Sequence, residues 1–345
     1  MKAIIAPASI ESNFTQRRKL VSRYLTILFC HDFLFEQEQI KNMPIFQANY
    51  LFDLIRQDPK IINSFISRMT KKELMRAVEI YENSIASFTL EMDPSKVNIP
   101  KEIVLCILIL DFFYRSNLEL PRIAKSDFVN EAVSNSLNLN VLATQYYNYK
   151  NTPNAVNPPF LILNYPWLFT TEAKVDVLQV ENYCSQNTQV LNQLNQGLAA
   201  GNFNALFNMQ NIHLAISVRR DRILEDSLSK LTNQGKNLKK PLKIAFVGEA
   251  GVDAGGVKKE FFGLLSKELF NPQFAMFTMK NVRLLATNQQ DRYLWFNHLS
   301  LELKLNFELV GTLIGLAIYN SVLLELALPK VIYKKLLDEP VGLQV

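Results

Sequence analysis

PLKIAFVGEAGVDAGGVKKEFFGLLSKELFNP, residues 241–272, decides how this chain is read. Leu242, Ile244, Phe246 and Gly248 alternate with Lys243, Ala245 and Val247, the period of a strand with one buried face. A glycine-rich turn, 248–256, follows. Val257, Phe261, Leu264, Leu265 and Leu269 then recur at helical spacing, with Lys258, Lys259, Glu260, Ser266 and Lys267 on the other faces. Asn271-Pro272 stops that helix.

A glycine turn between strand and helix invites a phosphate-binding reading, and the residues reject it. From Gly251 the chain reads G-V-D-A-G-G-V-K. A P-loop needs Lys directly after its second glycine and then Ser or Thr. Val257 holds the Lys position, Lys258 falls about 100° round the helix, and no hydroxyl follows for magnesium. Asp253 would put a negative charge in the cradle. No G-x-G-x-x-G can be read either. The bland reading is that Gly255 and Gly256 allow a tight turn into the helix and Asp253 caps its first turn.

Outward from this stretch, several blocks follow in a fixed order: GEAGVDAGGVKKEFF (248–262), FNP (270–272), LWFN (294–297), FELVGTLIGLAIYN (307–320) and LPKVIYKKLL (328–337). In series they closely resemble the amino-terminal lobe of a HECT-type ubiquitin ligase domain. Upstream, DFVNEAV (127–133), PPFLILN (158–164) and LAISVRRDRILEDSL (214–228) look most like the E6-associated-protein branch of that family.

The resemblance implies a family motif of structural residues, Gly251, Val252, Asp253, Gly255, Gly256, Phe261 and Phe262. It also sets two readings for Phe274 and Phe277, core packing or a non-covalent ubiquitin contact. The family's cysteine accepts ubiquitin from a conjugating enzyme as a thioester and passes it to a substrate lysine. That cysteine lies in a carboxy-terminal lobe well downstream of the glycine motif. Here Cys30, Cys106 and Cys184 all precede the motif. No catalytic residue is therefore assigned. Residues 1–345 are expected to be a truncated portion, inactive alone and without the arm that docks the conjugating enzyme. Implied partners are ubiquitin, a conjugating enzyme and protein substrates. The alternative is a non-catalytic helical protein that competes with a full-length ligase for partners.

Composition excludes other classes. The 345 residues suffice for two domains and a sizeable core. A net charge of +5, spread over lysine and arginine pairs, makes no concentrated basic tract, so nucleic acid is not an expected partner. Three scattered cysteines form neither a disulfide framework nor a zinc cluster, and fit a reducing, cytoplasmic or also nuclear, compartment. His31, His213 and His298 lack metal-ligand spacing, and no cofactor or metal is expected. The start has too short an apolar run before Pro7 for a signal peptide.

The expected fold is mainly α: a helical amino-terminal region, then an incomplete α+β HECT amino-terminal lobe of strand, helix, β-hairpin and buried helix. The boundaries read as a helical domain at 1–150, a substrate- or adaptor-binding candidate, a connecting segment at 151–212 and the partial HECT domain at 213–345. Residues 14–30 read as an amphipathic helix. Ile62, Phe65, Ile66 and Met69 mark one helix, and Leu74, Val78, Tyr81 and Ile85 mark another. Residues 103–114 are apolar nearly all round, a buried helix containing Cys106. Tyr146, Tyr147 and Tyr149 are placed in a loop. The Asn- and Gln-rich tract 182–211 keeps helical spacing in places, with a small-residue turn at 198–202. Residues 214–231 are read as a helix, and 282–287 with 292–297 as a hairpin. Residues 309–328, with a single charge at Glu325, pose a membrane question. They are assigned to a buried helix whose Gly311 and Gly315 admit a close neighbour, so no membrane partner is expected. Val331, Ile332, Leu336 and Leu337 are expected to face inward from a final helix.

Overall fold

The computed structural model describes Arg23 and residues 59–93, 98–152, 159–199, 212–232, 234–249, 255–283, 290–339 and 341–342. Of the expected helix at 14–30 only Arg23 is described, as a helical residue, and the rest lies outside the described set, as do Cys30 and His31. The described residues are mainly helical with two small sheets. They form two compact units, divided between Glu181 and Asn182.

In the first unit, α1 (Pro59–Ile66), α2 (Lys71–Leu90) and α3 (Lys101–Glu119) carry the expected apolar faces. Leu74, Val78, Tyr81 and Ile85 of α2 are fully buried against Ile103, Cys106, Ile107, Leu110 and Phe113 of α3. Thr70 and Glu73 form a reciprocal capping box at the start of α2, with bonds of 2.7 and 3.3 Å. After α3, α4 (Glu131–Ser136) and α5 (Leu139–Asn151) follow. Tyr146, Tyr147 and Tyr149 lie on α5, not in a loop. Asn138 caps that helix by accepting from Val141 N–H at 3.2 Å, and the residues behind it continue the turn. Residues 159–169 fold with two 3-10 turns and bury Trp167, Leu168 and Phe169. Tyr114 stacks on Trp167 with centroids 5.1 Å apart.

Two buried asparagines stitch this unit. Asn130 accepts from Val133 N–H at 3.1 Å and donates to the Glu82 carbonyl at 3.0 Å. Its own N–H reaches the Leu168 carbonyl at 2.8 Å. Asn117 accepts from Arg122 and Ile123 N–H at 2.8 and 3.2 Å, and donates to the Ile123 carbonyl at 3.0 Å. The turn it shapes aims Arg122 at the carbonyls of Ile66, the last residue of α1, and of Met69 just beyond it.

The long helix α6 (Thr171–Ala199) contains the division between the units. It runs unbroken through the described part of the Asn- and Gln-rich tract, because Val190, Leu191, Leu194 and Leu198 keep the helical period. Residues 200–211 lie outside the described set.

The second unit starts with β1 (Leu214–Val218), α7 (Ile223–Leu231) and β2 (Leu242–Phe246). The strands are parallel, in register Leu214↔Leu242, Ile216↔Ile244 and Val218↔Phe246. This corrects the helical reading of 214–231: its first five residues alternate buried and exposed, and β-branched Ile216 and Val218 suit a pleated surface. Next come α8 (Gly256–Leu269) and the antiparallel hairpin of β3 (Phe277–Arg283) and β4 (Gln290–Phe296). β3 begins at Phe277, five residues before the expected start.

The helix expected over 309–328 is α9 (Lys304–Tyr319). Ser321 takes φ +56°, and the N–H groups of Ser321 and Val322 return to the Ile318 and Ala317 carbonyls at 3.2 and 2.8 Å, a Schellman ending. Residues 322–328 leave the helical path instead, with alternate residues exposed. Val322, Leu324, Leu326 and Leu328 turn inward, while Leu323 is 97% exposed. No described helix is long and apolar enough to cross a membrane. A Cβ on Gly311 or Gly315 would meet nothing within 4 Å, so these glycines face outward and admit no close neighbour. The short helix α10 (Lys330–Leu336) ends the same way, with Asp338 at φ +53°. Leu336 and Leu337 are 74% and 71% exposed, not inward, because that helix spans only two turns before its αL stop.

Polar residues of α6 finish α9. Asn182 and Gln186 donate to the Ile318 and Tyr319 carbonyls at 3.4 and 3.5 Å. Tyr319 Oη meets Ser185 Oγ at 3.0 Å and donates to the Lys239 carbonyl at 2.9 Å.

Two tests follow from the first unit. Asn117→Ala strands three buried backbone groups and is expected to cost about 2 kcal/mol in urea unfolding; a loss under about 0.5 kcal/mol, the surface norm, would contradict the assignment. Glu82, whose Oε1 is buried without a hydrogen-bond partner, has its carboxyl pushed from 4.5 up to about 8, first by burial and then by Asp127 and Glu79. The folded chain therefore keeps a proton that the unfolded chain releases above about 4.5. Stability should fall as pH rises from there through about 8. Glu82→Gln is expected to flatten that decline, and an equal decline in both proteins would refute the cause.

Candidate functional site

The strand–turn–helix stretch is the candidate site. β2 delivers the chain to Gly248, at φ +84°, and Glu249. The chain re-enters the described set at Gly255, whose φ of +96° suits glycine and begins α8 with no side-chain cap. Gly256 is the first helical residue. Gly251, Val252 and Asp253 lie outside the described residues, and so does the expected cap by Asp253. Phe261 and Phe262 are both fully buried, meeting edge to face at 5.5 Å, with Leu265 and Leu269 beneath them. Burying two adjacent phenylalanines needs cover on two sides of the helix. β2 and α7 lie against α8, and α9 packs with it in the same core.

Two arginines after β1 organise the mouth of the turn. Arg219 binds Asp226 three times, through its backbone N–H at 2.8 Å, Nε at 3.0 Å and Nη2 at 2.6 Å. Those bonds hold the Asp226 carboxyl down at about 2. Arg220 reaches further. It donates twice to Glu249, at 2.5 and 2.9 Å, and once to Glu260 at 2.6 Å. Its guanidinium carbon sits 4.1 Å from the centre of the Phe246 ring. Arg219 pairs locally, and Arg220 joins residues 29 and 40 positions away. Carboxylates at the mouth add a physical reason against a phosphate ligand.

Beside α8 lies an open groove of about 830 Å³, bounded by Lys259, Ser266, Lys267 and Phe270 on one side and Leu324 and Leu326 of segment 322–328 on the other. Nothing in the sequence marked it, because it arises where the chain leaves helix after Ser321. Phe277 is 4% exposed and packs on Phe270, Phe296 and Phe307 with centroids 4.8 to 6.2 Å apart. Phe274 is half-buried against the same core. Met279, Trp295 and Phe296 of the hairpin are the more exposed apolar side chains, at 52%, 40% and 44%.

Among the described residues no group of three or more His, Cys, Asp or Glu side chains could hold a metal. Cys106 and Cys184 are not in disulfides. Cys106 is fully buried, and burial pushes its thiol up to about 12. These features define a mainly α chain whose second unit is built on a parallel strand pair with an open groove beside α8, and in which the Cys106 thiol is buried.

Comparison with known proteins names the family. Residues 263–344 match the HECT-domain (ubiquitin-transferase) family. The chain is 32% identical over 233 residues to "Probable E3 ubiquitin-protein ligase mug30" of Schizosaccharomyces pombe, covering 66% of this chain and 26% of the relative. It is 29% identical over 297 residues to human "Probable E3 ubiquitin-protein ligase HERC3", covering 83% and 27%. It is 33% identical over 228 residues to human "Probable E3 ubiquitin-protein ligase HECTD2", covering 64% and 26%. Residues 263–344 are thus similar to part of a HECT domain, and the chain spans about a quarter of the length of these relatives.

A thiol titrating near 12 holds almost no thiolate at neutral pH. Native Cys106 is expected to resist iodoacetamide at pH 7.5 and to react once urea unfolds the chain. Stoichiometric native labelling, located by peptide mass, would overturn its burial.

Proposed function

We propose that residues 1–345 serve HECT-type ubiquitin transfer, as a portion of a ligase that binds and positions partners rather than the portion that carries the thiol. The match of 263–344 to the HECT domain carries this reading. In this chemistry the thiolate of the ligase attacks the thioester carbonyl of ubiquitin on a conjugating enzyme. A new S–C bond forms as the old one breaks, and the conjugating enzyme leaves as its thiolate. A substrate lysine amine then attacks in turn and releases the ligase thiolate. The nucleophile is supplied outside residues 1–345, since Cys30, Cys106 and Cys184 all precede the glycine motif and Cys106 is sealed in a core. The partners are ubiquitin, a conjugating enzyme and protein substrates, in a reducing compartment of the cytoplasm or nucleus.

The groove beside α8 and the exposed hairpin residues favour a second reading, in which the polypeptide binds partners without transfer and competes with a complete ligase. One experiment separates the two. Purified 1–345 is incubated with ubiquitin, activating enzyme, a panel of conjugating enzymes and ATP, and the native protein captured through residues 59–199 from a cell extract is treated alike. The expected result is no reducible ubiquitin adduct on 1–345 and one on a captured species larger than 39.6 kDa. A captured 39.6 kDa species without an adduct would replace the ligase reading with the competitor. An adduct on 1–345 itself would overturn the placement of the nucleophile.

A further inference from the structure

We propose that the groove beside α8 is a docking site for an extended acidic segment of a partner protein. Two carboxylates four residues apart meet Lys259 and Lys267, and an apolar side chain midway between them sits over Gly263. The inference deepens the partner-binding reading of the groove. Its test is direct binding without any ubiquitin chemistry, so it stands or fails separately from the adduct assay.

The wall made by α8 carries the argument. Lys259, Gly263 and Lys267 follow at four-residue spacing, which puts them on one side of the helix. All three are exposed and line the groove. Neither lysine side chain makes an ion pair among the described residues. Glu260, the acid beside Lys259 in sequence, is held by Arg220 instead. Glu325, on the other wall, is the one acid lining the groove, so its lining is net positive. Gly263 lies in the middle of α8, where glycine weakens a helix relative to alanine. A Cβ there would meet nothing within 4 Å, so packing within the fold does not call for it. It leaves the wall low between two cations, where another chain can approach closely.

Spacing sets the ligand's pattern. Eight residues of helix separate the two lysines by about 12 Å along the axis. Four residues of extended chain rise about 13 Å, and because four is even the two side chains point the same way. The side chain halfway between them points the same way too and meets the wall at Gly263. The rest of the groove suits a polypeptide. Phe270, Leu294, Val322 and Leu324 give it apolar lining. On the opposite wall the N–H groups of Leu323, Leu324 and Glu325 make no hydrogen bond among the described residues, so they are open to peptide carbonyls. A nucleic acid would meet only two cations and would leave the apolar lining unused. A membrane surface would not enter a concave groove. An acidic peptide with an apolar centre uses every part.

Fluorescence polarisation of the full 1–345 chain tests this, with a fluorescein-labelled peptide centred on E-T-L-T-E as the probe. The expected result is saturable binding that weakens as salt rises. Gly263→Leu, Lys259→Glu and Lys267→Glu are each expected to weaken it about tenfold or more. Two altered peptides, Q-T-L-T-Q and E-L-T-T-E, should bind as poorly, the first for want of charge and the second because its leucine faces away from Gly263. Lys243→Glu is the control: it makes the same charge change on the exposed face of β2, outside the groove, and is expected to leave binding unchanged. Hydrogen exchange of peptides covering 321–328 should slow when the probe is bound. No binding to the wild-type chain at about 1 mM peptide would overturn the site. Equal weakening by Lys243→Glu would overturn it too, as would equal affinity for E-L-T-T-E. Displacement of the probe by a single-stranded oligonucleotide or by phosphatidylserine vesicles, at lower concentration than unlabelled peptide, would overturn the peptide as ligand. If Gly263→Leu does not fold, the two lysine variants and the two altered peptides decide the question.

Discussion

A pair of parallel strands five residues long cannot stand alone in water, and the second unit is organised by that constraint. Two strands have two open edges, and a parallel pair presents an apolar face that a helix must cover. Leu214, Ile216 and Val218 line up with Leu242, Ile244 and Phe246, and this one row of six side chains is the floor of the core. The crossover α7 and the following α8 both lie against it. Phe261 and Phe262 are buried because α8 has neighbours on two sides, the strand pair and the α9 side of the core. The glycine turn exists because the chain must leave β2 and come back over it within a few residues. The Arg219 and Arg220 bridges stand at the exits of the two strands.

How much of this the sequence disclosed depends on what fixes each element. β2, α8 and the three helices of the first unit were legible because burial on one face imposes a period, and burial is what holds them. The parallel partner of β2 was not. LAISV alternates over only five residues before RRDRILEDSL resumes a helical pattern, and the longer period prevailed in reading 214–231. Parallel pairing is also non-local: Leu214 finds Leu242, so nothing next to it announces the strand. The end of α9 was hidden for another reason. Apolar residues run from Leu309 to Leu328, interrupted at Tyr319-Asn320-Ser321 and at Glu325. The stop comes from a left-handed backbone at Ser321, where glycine would have been the usual sign. Leucine fits helix and extended chain alike, and so LELAL gave no warning. The groove beside α8 follows from that same hidden change, which is why no residue pattern pointed to it.

Asn182, Gln186, Asn117 and Asn130 show what composition conceals. An Asn- and Gln-rich tract reads as a loop or an insertion when only its polarity is counted. In place, the side-chain amides of Asn182 and Gln186 satisfy carbonyls at the end of α9, which no further turn of helix would satisfy. Asn117 and Asn130 do the equivalent for chain reversals in the first unit. An amide carries both donor and acceptor without charge, so it can be buried where a carboxylate could not. Glu82 is the contrast: placed near Asp127 and Glu79, it can be accommodated only by keeping its proton.

The two arginines after β1 separate local from long-range electrostatics. On sequence alone, Arg219, Arg220 and Arg222 are equivalent members of a mixed-charge stretch, each with an acid within reach. The fold breaks the equivalence. Arg219 stays local because Asp226 sits one helical turn into α7 and faces back to it. Arg222 points to solvent beside Glu225. Arg220 alone exits over the carboxyl edge of the strand pair, where Phe246 offers a ring and Glu249 and Glu260 converge. Surface ion pairs ordinarily contribute little, and this one acquires its weight from position. Its partners stand on either side of the glycine-rich stretch, Glu249 just after β2 and Glu260 on α8. The residues that make the turn possible are the glycines, and the residue that makes it singular is an arginine some thirty positions earlier in the chain.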